Sequence, residues 1–322
     1  MCMDGQQELS GAVIATLLYF RARNVPLTAL ELSRFLPMHL DPPSLSTLED
    51  ALGTLVQQQR IVTSHGLYSI DGDVDLVHRR RLYCASLTKW YRASRAVRRM
   101  RWIPFLRMVS LTNTVALNAA EEESDIDLLI IGSNGRLWTV RWAVTAITQL
   151  LGIRRHGSYI TNRLCLSFYC SDSALGLQRF CVGQRDVHYA YWVGMTAMMF
   201  EAQGSGTQEK FESENQWVKE YFSQHHWLGL TPVFGVTDSK VSRIIRAIWE
   251  WMLGGWMGDR IEAVLRFLQR RMIYAHTESR VHHGGVDVVV EDDVFKFHES
   301  DSRAQHRKLW TEQCQKYGVT IV

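Results

Sequence analysis

Residues 109–131, VSLTNTVALNAAEEESDIDLLII, decide how the rest of this chain is read. The stretch closes on Asp125-Ile126-Asp127, followed by Leu128-Leu129-Ile130-Ile131, an apolar run of strand type. Residues two apart in a strand point to one face, so the two carboxylates project side by side. Carboxylates this close repel and resist ionising together unless a cation lies between them. Paired oxygen donors suit Mg²⁺ or Mn²⁺, and Mg²⁺ in such sites keeps waters and takes further ligands from a substrate's phosphates.

Thr114 stands eleven residues before Asp125 and ends Thr112-Asn113-Thr114, a small hydroxylated turn. Asn tolerates the left-handed backbone, and such a turn presents N–H groups and a hydroxyl to a phosphate. The turn, its spacing to Asp-x-Asp and the strand SDIDLLII together resemble the nucleotidyltransferase superfamily of DNA polymerase β type. Within it, LTNTVALNAAEEESDIDLL is similar to bacterial nucleotidyltransferase-domain proteins. The resemblance implies an α/β (α+β) fold with a small mixed sheet. It also implies transfer of a nucleoside monophosphate from an NTP to an acceptor, with Asp125 and Asp127 holding Mg²⁺ and Asn113 and Thr114 cradling the phosphates. Arg98, Arg99 or Arg136 would complete the phosphate clamp.

This sequence departs from the superfamily pattern in two ways. Asn113 and Thr114 replace the Gly and Ser of the family turn. The family's third carboxylate comes from a neighbouring strand, and here the corresponding segment, 163–170, RLCLSFYC, contains no acid. Asp172, just past its end, is the substitute metal ligand in sequence, and Glu121–Glu123 are the other acids that could turn inward. The second reading is therefore a catalytically degenerate scaffold that binds nucleotide, RNA or a protein partner.

The chain of 322 residues is long enough for two or three domains, and its 46% hydrophobic content supports sizeable cores. A net charge of +3 does not mark a nucleic-acid binder. Six cysteines without a C-x-x-C pair read as reduced thiols rather than a disulfide framework or a zinc site. The start MCMDGQQELSG carries no signal-peptide pattern, and no uncharged apolar run reaches the length of a membrane span, so a cytoplasmic protein is expected.

The N-terminal residues 1–76 read as three helices and a hairpin, the order of a winged helix. Thr28 caps the second helix, Leu48, Leu52 and Leu55 form one face of the third, and Ser64-His65-Gly66 makes the hairpin turn. The third helix carries Glu49 and Asp50 and only Arg60 at its end. It is poorly equipped to neutralise phosphates, so specific duplex DNA is not an expected partner.

Residues 77–186 hold a basic connecting helix and the core. Ten cations crowd 79–107 between Tyr83, Trp90, Tyr91 and Trp102, which suits either an RNA-binding face or a solvated helix whose aromatics pack inward. A helix at 136–151, the basic loop Arg154-Arg155-His156-Gly157 and the 163–170 strand follow.

Residues 187–322 read as a helical C-terminal region with a strand or hairpin at 286–297. A Met and aromatic stripe at 191–200 reads as helical core. Asn215-x-Trp217 resembles a structural N-x-W of the family, and Lys296-Phe297-His298 with Asp301 resembles the family's ending. Residues 241–273 read as one or two long helices around Gly254-Gly255 and carry Trp249, Trp251 and Trp256, which read as the buried face of a cap rather than a membrane-surface helix.

Overall fold

The computed structural model describes residues 2–37, 42–72, 74–183, 186–222, 233–275, 288–297 and 303–319. His298 and Asp301 lie outside the described residues.

Helices α1 (Cys2–Arg21), α2 (Ala29–Phe35) and α3 (Leu45–Gln57) pack with strands β1 (Leu27–Thr28), β2 (Val62–Ser64) and β3 (Leu67–Ser69). The strands form an antiparallel sheet in the order β1-β3-β2, so the element order is that of a winged helix. Local chemistry sets its boundaries. Thr28 and Glu31 form a reciprocal capping box at the start of α2. His65 and Gly66 both take positive φ, as a tight two-residue hairpin turn requires. Leu48, Leu52 and Leu55 are buried, whereas Glu49 and Asp50 face solvent.

Helix α4 (Leu76–Met100) starts at Asp75, whose carboxylate accepts from the His78 N–H. It divides its residues by chemistry. Leu82, Trp90, Ala93, Val97 and Met100 are buried, and Arg80, Arg81, Arg92, Arg95, Arg98 and Arg99 are exposed. Arg79, by contrast, is buried and pairs with Glu31 at 2.6 Å. The aromatics split as well, because Trp90 packs inward while Tyr83 and Tyr91 stay exposed.

The second sheet has six strands, β4 (Leu106–Leu111), β5 (Ile126–Gly132), β6 (Leu164–Ser171), β7 (Ala197–Glu201), β8 (Val288–Val290) and β9 (Val294–Phe297), in the order β7-β4-β5-β6-β9-β8. It is mixed. The β5–β6 pair, joined by α6 (Leu137–Leu150), is parallel and the other pairs are antiparallel. This is the mixed α/β architecture that the sequence led us to expect. Along β5, Ile126, Leu128 and Ile130 pack with α4 and α6 on one side. Leu129 and Ile131 enter a second cluster on the other side, the side on which Asp127 stands by alternation.

That second cluster runs without a break from α1–α3 through α7 (Val187–Gly194) to α11 (Arg303–Lys316). Polar contacts cross it as well. Trp310 Nε1 donates to the Ala15 carbonyl at 2.9 Å and the Tyr191 hydroxyl to the Phe35 carbonyl at 3.1 Å. Asn215 is fully buried, pairing with the Leu175 carbonyl, the Leu177 N–H and Trp217 Nε1, which gives the N-x-W pair a structural role.

One expectation is corrected here. Helix does not continue through 200, because α7 ends at Gly194 and Ala197–Glu201 is an edge strand paired with β4. The open edge of β4 supplies hydrogen bonds that a one-dimensional apolar pattern cannot reveal. Helices α9 (Lys240–Leu253) and α10 (Trp256–Tyr274) do break at Gly254-Gly255, but Trp249, Trp251 and Trp256 are exposed rather than buried under a cap. No helix among the described residues is long and apolar enough to cross a membrane.

Candidate functional site

Asp125 immediately precedes β5 and Asp127 is its second residue, so alternation puts both on one face. Three backbone hydrogen bonds hold the entry to the strand. Thr112 N–H donates to the Asp127 carbonyl, Ile126 N–H to the Arg163 carbonyl, and Asn162 N–H to the Ser124 carbonyl. Lys89, fully buried in α4, sends its ammonium to the Glu122 and Ser124 carbonyls and to Asn162 Oδ1, at 3.0, 2.9 and 2.9 Å. Burial pulls its pKa below the usual lysine range, which Asp125 partly offsets. Three acceptors for three N–H groups is full satisfaction of an ammonium. Replacing Lys89 by Met should therefore strand these acceptors, destabilise the fold by about 3 kcal/mol in denaturant unfolding, and weaken metal binding at the neighbouring acids.

Asn113 takes φ 58°, the left-handed conformation its residue type permits. Its side chain turns to the acidic strand, where Nδ2 donates to Asp127 Oδ2 at 2.7 Å. Thr114 follows in the short helix α5 (Asn113–Ala116), half-exposed at the same turn. Cys165 stands directly opposite Asp127 in the parallel β5–β6 register. One ligand atom each from Asp125, Asp127 and Cys165 lie within 4.8 Å of one another. Burial and the adjoining Asp125 raise the Asp127 pKa above the carboxylate range, against the Asn113 and Cys165 hydrogen bonds that lower it. Burial, with Asp127 beside it, pushes the Cys165 thiol up to about 12, so it stands protonated.

A cation faces the pair from the loop before β6. Arg155 Nη1 lies 2.6 Å from Asp125 Oδ2 and 3.9 Å from Cys165 Sγ. Behind it opens a cleft of about 870 Å³, with Asp127 and Cys165 at one end and Arg141, Arg154, Arg155 and His156 among its walls. Among the described residues, Asp127 is the only acid lining it. The carboxylate pair could hold a divalent ion, and the arginines of the cleft could receive an anionic group. Two carboxylate oxygens free of backbone N–H partners fit Mg²⁺ or Mn²⁺, whereas a protonated thiol adds nothing for these hard ions.

Four further residues expected here lie elsewhere. Asp172 follows β6, at the far end of the parallel pair and about 17 Å from Asp127 by strand rise. There it accepts from the Asn134 N–H at 2.8 Å and faces Arg107, so it is not a third ligand. Arg136 begins α6 at that same end and pairs with Asp259 at 2.5 Å. Arg98 and Arg99 occupy the last turn of α4, about 14 Å along the helix from Lys89, the residue that adjoins Asp125. Glu121–Glu123 remain exposed rather than turning inward.

Arg155, Arg154 and Arg141 were therefore missed as site residues. Topology held the signal. In a parallel pair the start of β6 lies beside the start of β5, so the basic loop entering β6 must face Asp125. Comparison with known protein families, with characterised proteins and with solved structures gives no match for this chain.

Proposed function

We propose that the chain is a Mg²⁺- or Mn²⁺-dependent nucleotidyltransferase that moves a nucleoside monophosphate from an NTP to an acceptor and releases pyrophosphate. The observation that carries this reading is the Asp125–Asp127 pair, whose Asp127 lines a cleft together with three arginines. Asp125 and Asp127 hold the metal, and Asn113 keeps the Asp127 carboxylate aimed at it. Arg155, exchanged from Asp125 to a phosphate, and Arg154 beside it take the triphosphate. The metal, when bound, neutralises charge on the phosphates as the bond to pyrophosphate lengthens. Cys165, protonated, is no base, and among the described residues the cleft is lined by no carboxylate other than Asp127.

The acceptor class that the surface suits is RNA. Tyr91, Arg92, Arg95 and Arg99 line a second cleft of about 450 Å³ on α4 that also reaches Asn162, next to the acidic loop. Specific duplex DNA is not proposed, because the solvent face of α3 carries Glu49 and Asp50 and no cation. The full chain should shift no selected duplex at nanomolar concentration in physiological salt, and a sequence-specific shift would reverse this.

The scaffold reading has its own observation. Arg155 already neutralises Asp125, and Cys165 stands where a third acid would complete the metal site. Incubation with Mg²⁺, each labelled NTP and a cell extract separates the two. Label transferred to an acceptor, and lost in Asp125→Ala, supports the enzyme. NTP binding without any transfer supports the scaffold.

A further inference from the structure

Helices α9 and α10 are held to the body by polar contacts and by Leu253, Leu265 and Ile273, which pack against the core. On α9, at 100° per residue, Val241, Ile244, Ile248, Trp251 and Met252 share one face. Ile244 is 61% exposed, Ile248 52% and Trp251 84%. The opposite face makes the contacts. Arg246 pairs with Asp238 at 2.6 Å, and Glu250 accepts from Arg107 at 2.8 Å and from the Phe105 N–H at 2.7 Å. The second helix, α10, repeats the arrangement. Glu262 accepts from the Trp138 and Thr139 N–H groups and Gln269 Nε2 donates to the Trp138 carbonyl, while Trp256 and Phe267 are 77 and 65% exposed. A surface helix ordinarily buries its apolar stripe, and here both helices turn it to water. An apolar face of this extent marks an interaction surface.

Charge decides what covers it. Residues 240–274 carry seven basic side chains against three acidic ones. All three acids are engaged with the body, Glu250 with Arg107, Asp259 with Arg136 and Glu262 with the N-terminus of α6. Arg260, Arg270 and Arg271 are exposed among or beside the apolar residues, and Arg266 pairs with Asp292. A second copy meeting this face about a two-fold axis would set these arginines against one another, with no unengaged acid on either helix to receive them. An anionic bilayer meets both features, with phosphates for the arginines and the headgroup–acyl boundary for Trp, Phe and Ile. We propose that the α9–α10 pair is a membrane-surface anchor that lies in the interface of an anionic bilayer without crossing it.

The full chain should co-sediment with vesicles of phosphatidylcholine containing about a third phosphatidylglycerol, and only weakly with phosphatidylcholine alone. Brominated acyl chains should quench part of its tryptophan fluorescence. Trp251→Glu with Ile248→Glu should lower partitioning more than tenfold and leave the melting temperature unchanged, because both side chains face water. Arg260→Gln with Arg271→Gln should lower it about 20-fold at low salt, and added salt should mimic that loss. Equal binding to neutral and anionic vesicles would overturn the proposal, as would binding indifferent to either pair of substitutions. A dimer in light scattering that Ile248→Glu dissolves, without vesicle binding, would assign the face to a second copy instead.

Discussion

Asp127→Asn should abolish the gain in NTP affinity that Mg²⁺ or Mn²⁺ confers, a loss of at least about 100-fold measured by titration calorimetry. Asn keeps the shape and can still accept from Asn113 Nδ2, so the fold is preserved while the metal loses one of two charged donors. Without its charge the Asp125–Asp127 repulsion also disappears, and metal-free stability should hold or rise slightly. The pH dependence has a defined sign. Metal binding needs ionised Asp127, and its folded pKa is raised by burial and by Asp125. Metal-dependent affinity should therefore fall with falling pH from above the usual carboxylate range, and Asp127→Asn should show no such fall. Equal NTP binding in EDTA and in Mn²⁺ by the unsubstituted chain would remove the metal from the proposal.

Cys165→Asp should act in the opposite direction. Position 165 pairs in register with Asp127, and its Sγ already lies within 4.8 Å of donor atoms of both acids. A third carboxylate there should lower metal-free stability by about 2 kcal/mol through like-charge crowding, with Arg155 offsetting part of it. Mn²⁺ should restore that stability, and Mn²⁺ affinity should rise on the order of tenfold. Thermal melts with and without Mn²⁺ check both halves. Melting that is lower than in the unsubstituted chain and indifferent to Mn²⁺ would mean that the three positions do not converge on one ion.

The two substitutions also separate the two functional readings. A chain that transfers label and gains activity with Cys165→Asp is an enzyme working with a reduced ligand set. A chain that gains metal affinity but transfers nothing has kept the carboxylate pair for binding alone.

Much of the site was legible because its signals are local. Asp125 and Asp127 share a face by strand alternation, and no distant contact is needed to say so. The left-handed turn at Asn113 follows from its residue type and was readable in the same way. What Asn113 does with its side chain was not readable, since its partner Asp127 is fourteen positions away. Asp172 was chosen for closeness in sequence to the end of β6. A parallel connection makes that the wrong end, and the same rule points to Arg155, whose sequence position looked unremarkable.

Taken alone, the sequence determined the features that depend on neighbours a few residues apart. These include the capping box at Thr28, the turn at His65-Gly66, the buried stripe of α3 and the acidic strand. Tertiary structure decided the rest. The edge of β4 made a strand of Ala197–Glu201 within an apolar stripe that suits a helix equally well. Parallel pairing brought Arg155 and Cys165 to the acids and sent Asp172 and Arg136 to the far end. The period of α9 tells which residues share a face, but not which face meets the body. That was settled by Arg107 and the Arg101 carbonyl, partners from a distant segment that claim Glu250 and Arg246 and so leave the tryptophans to solvent.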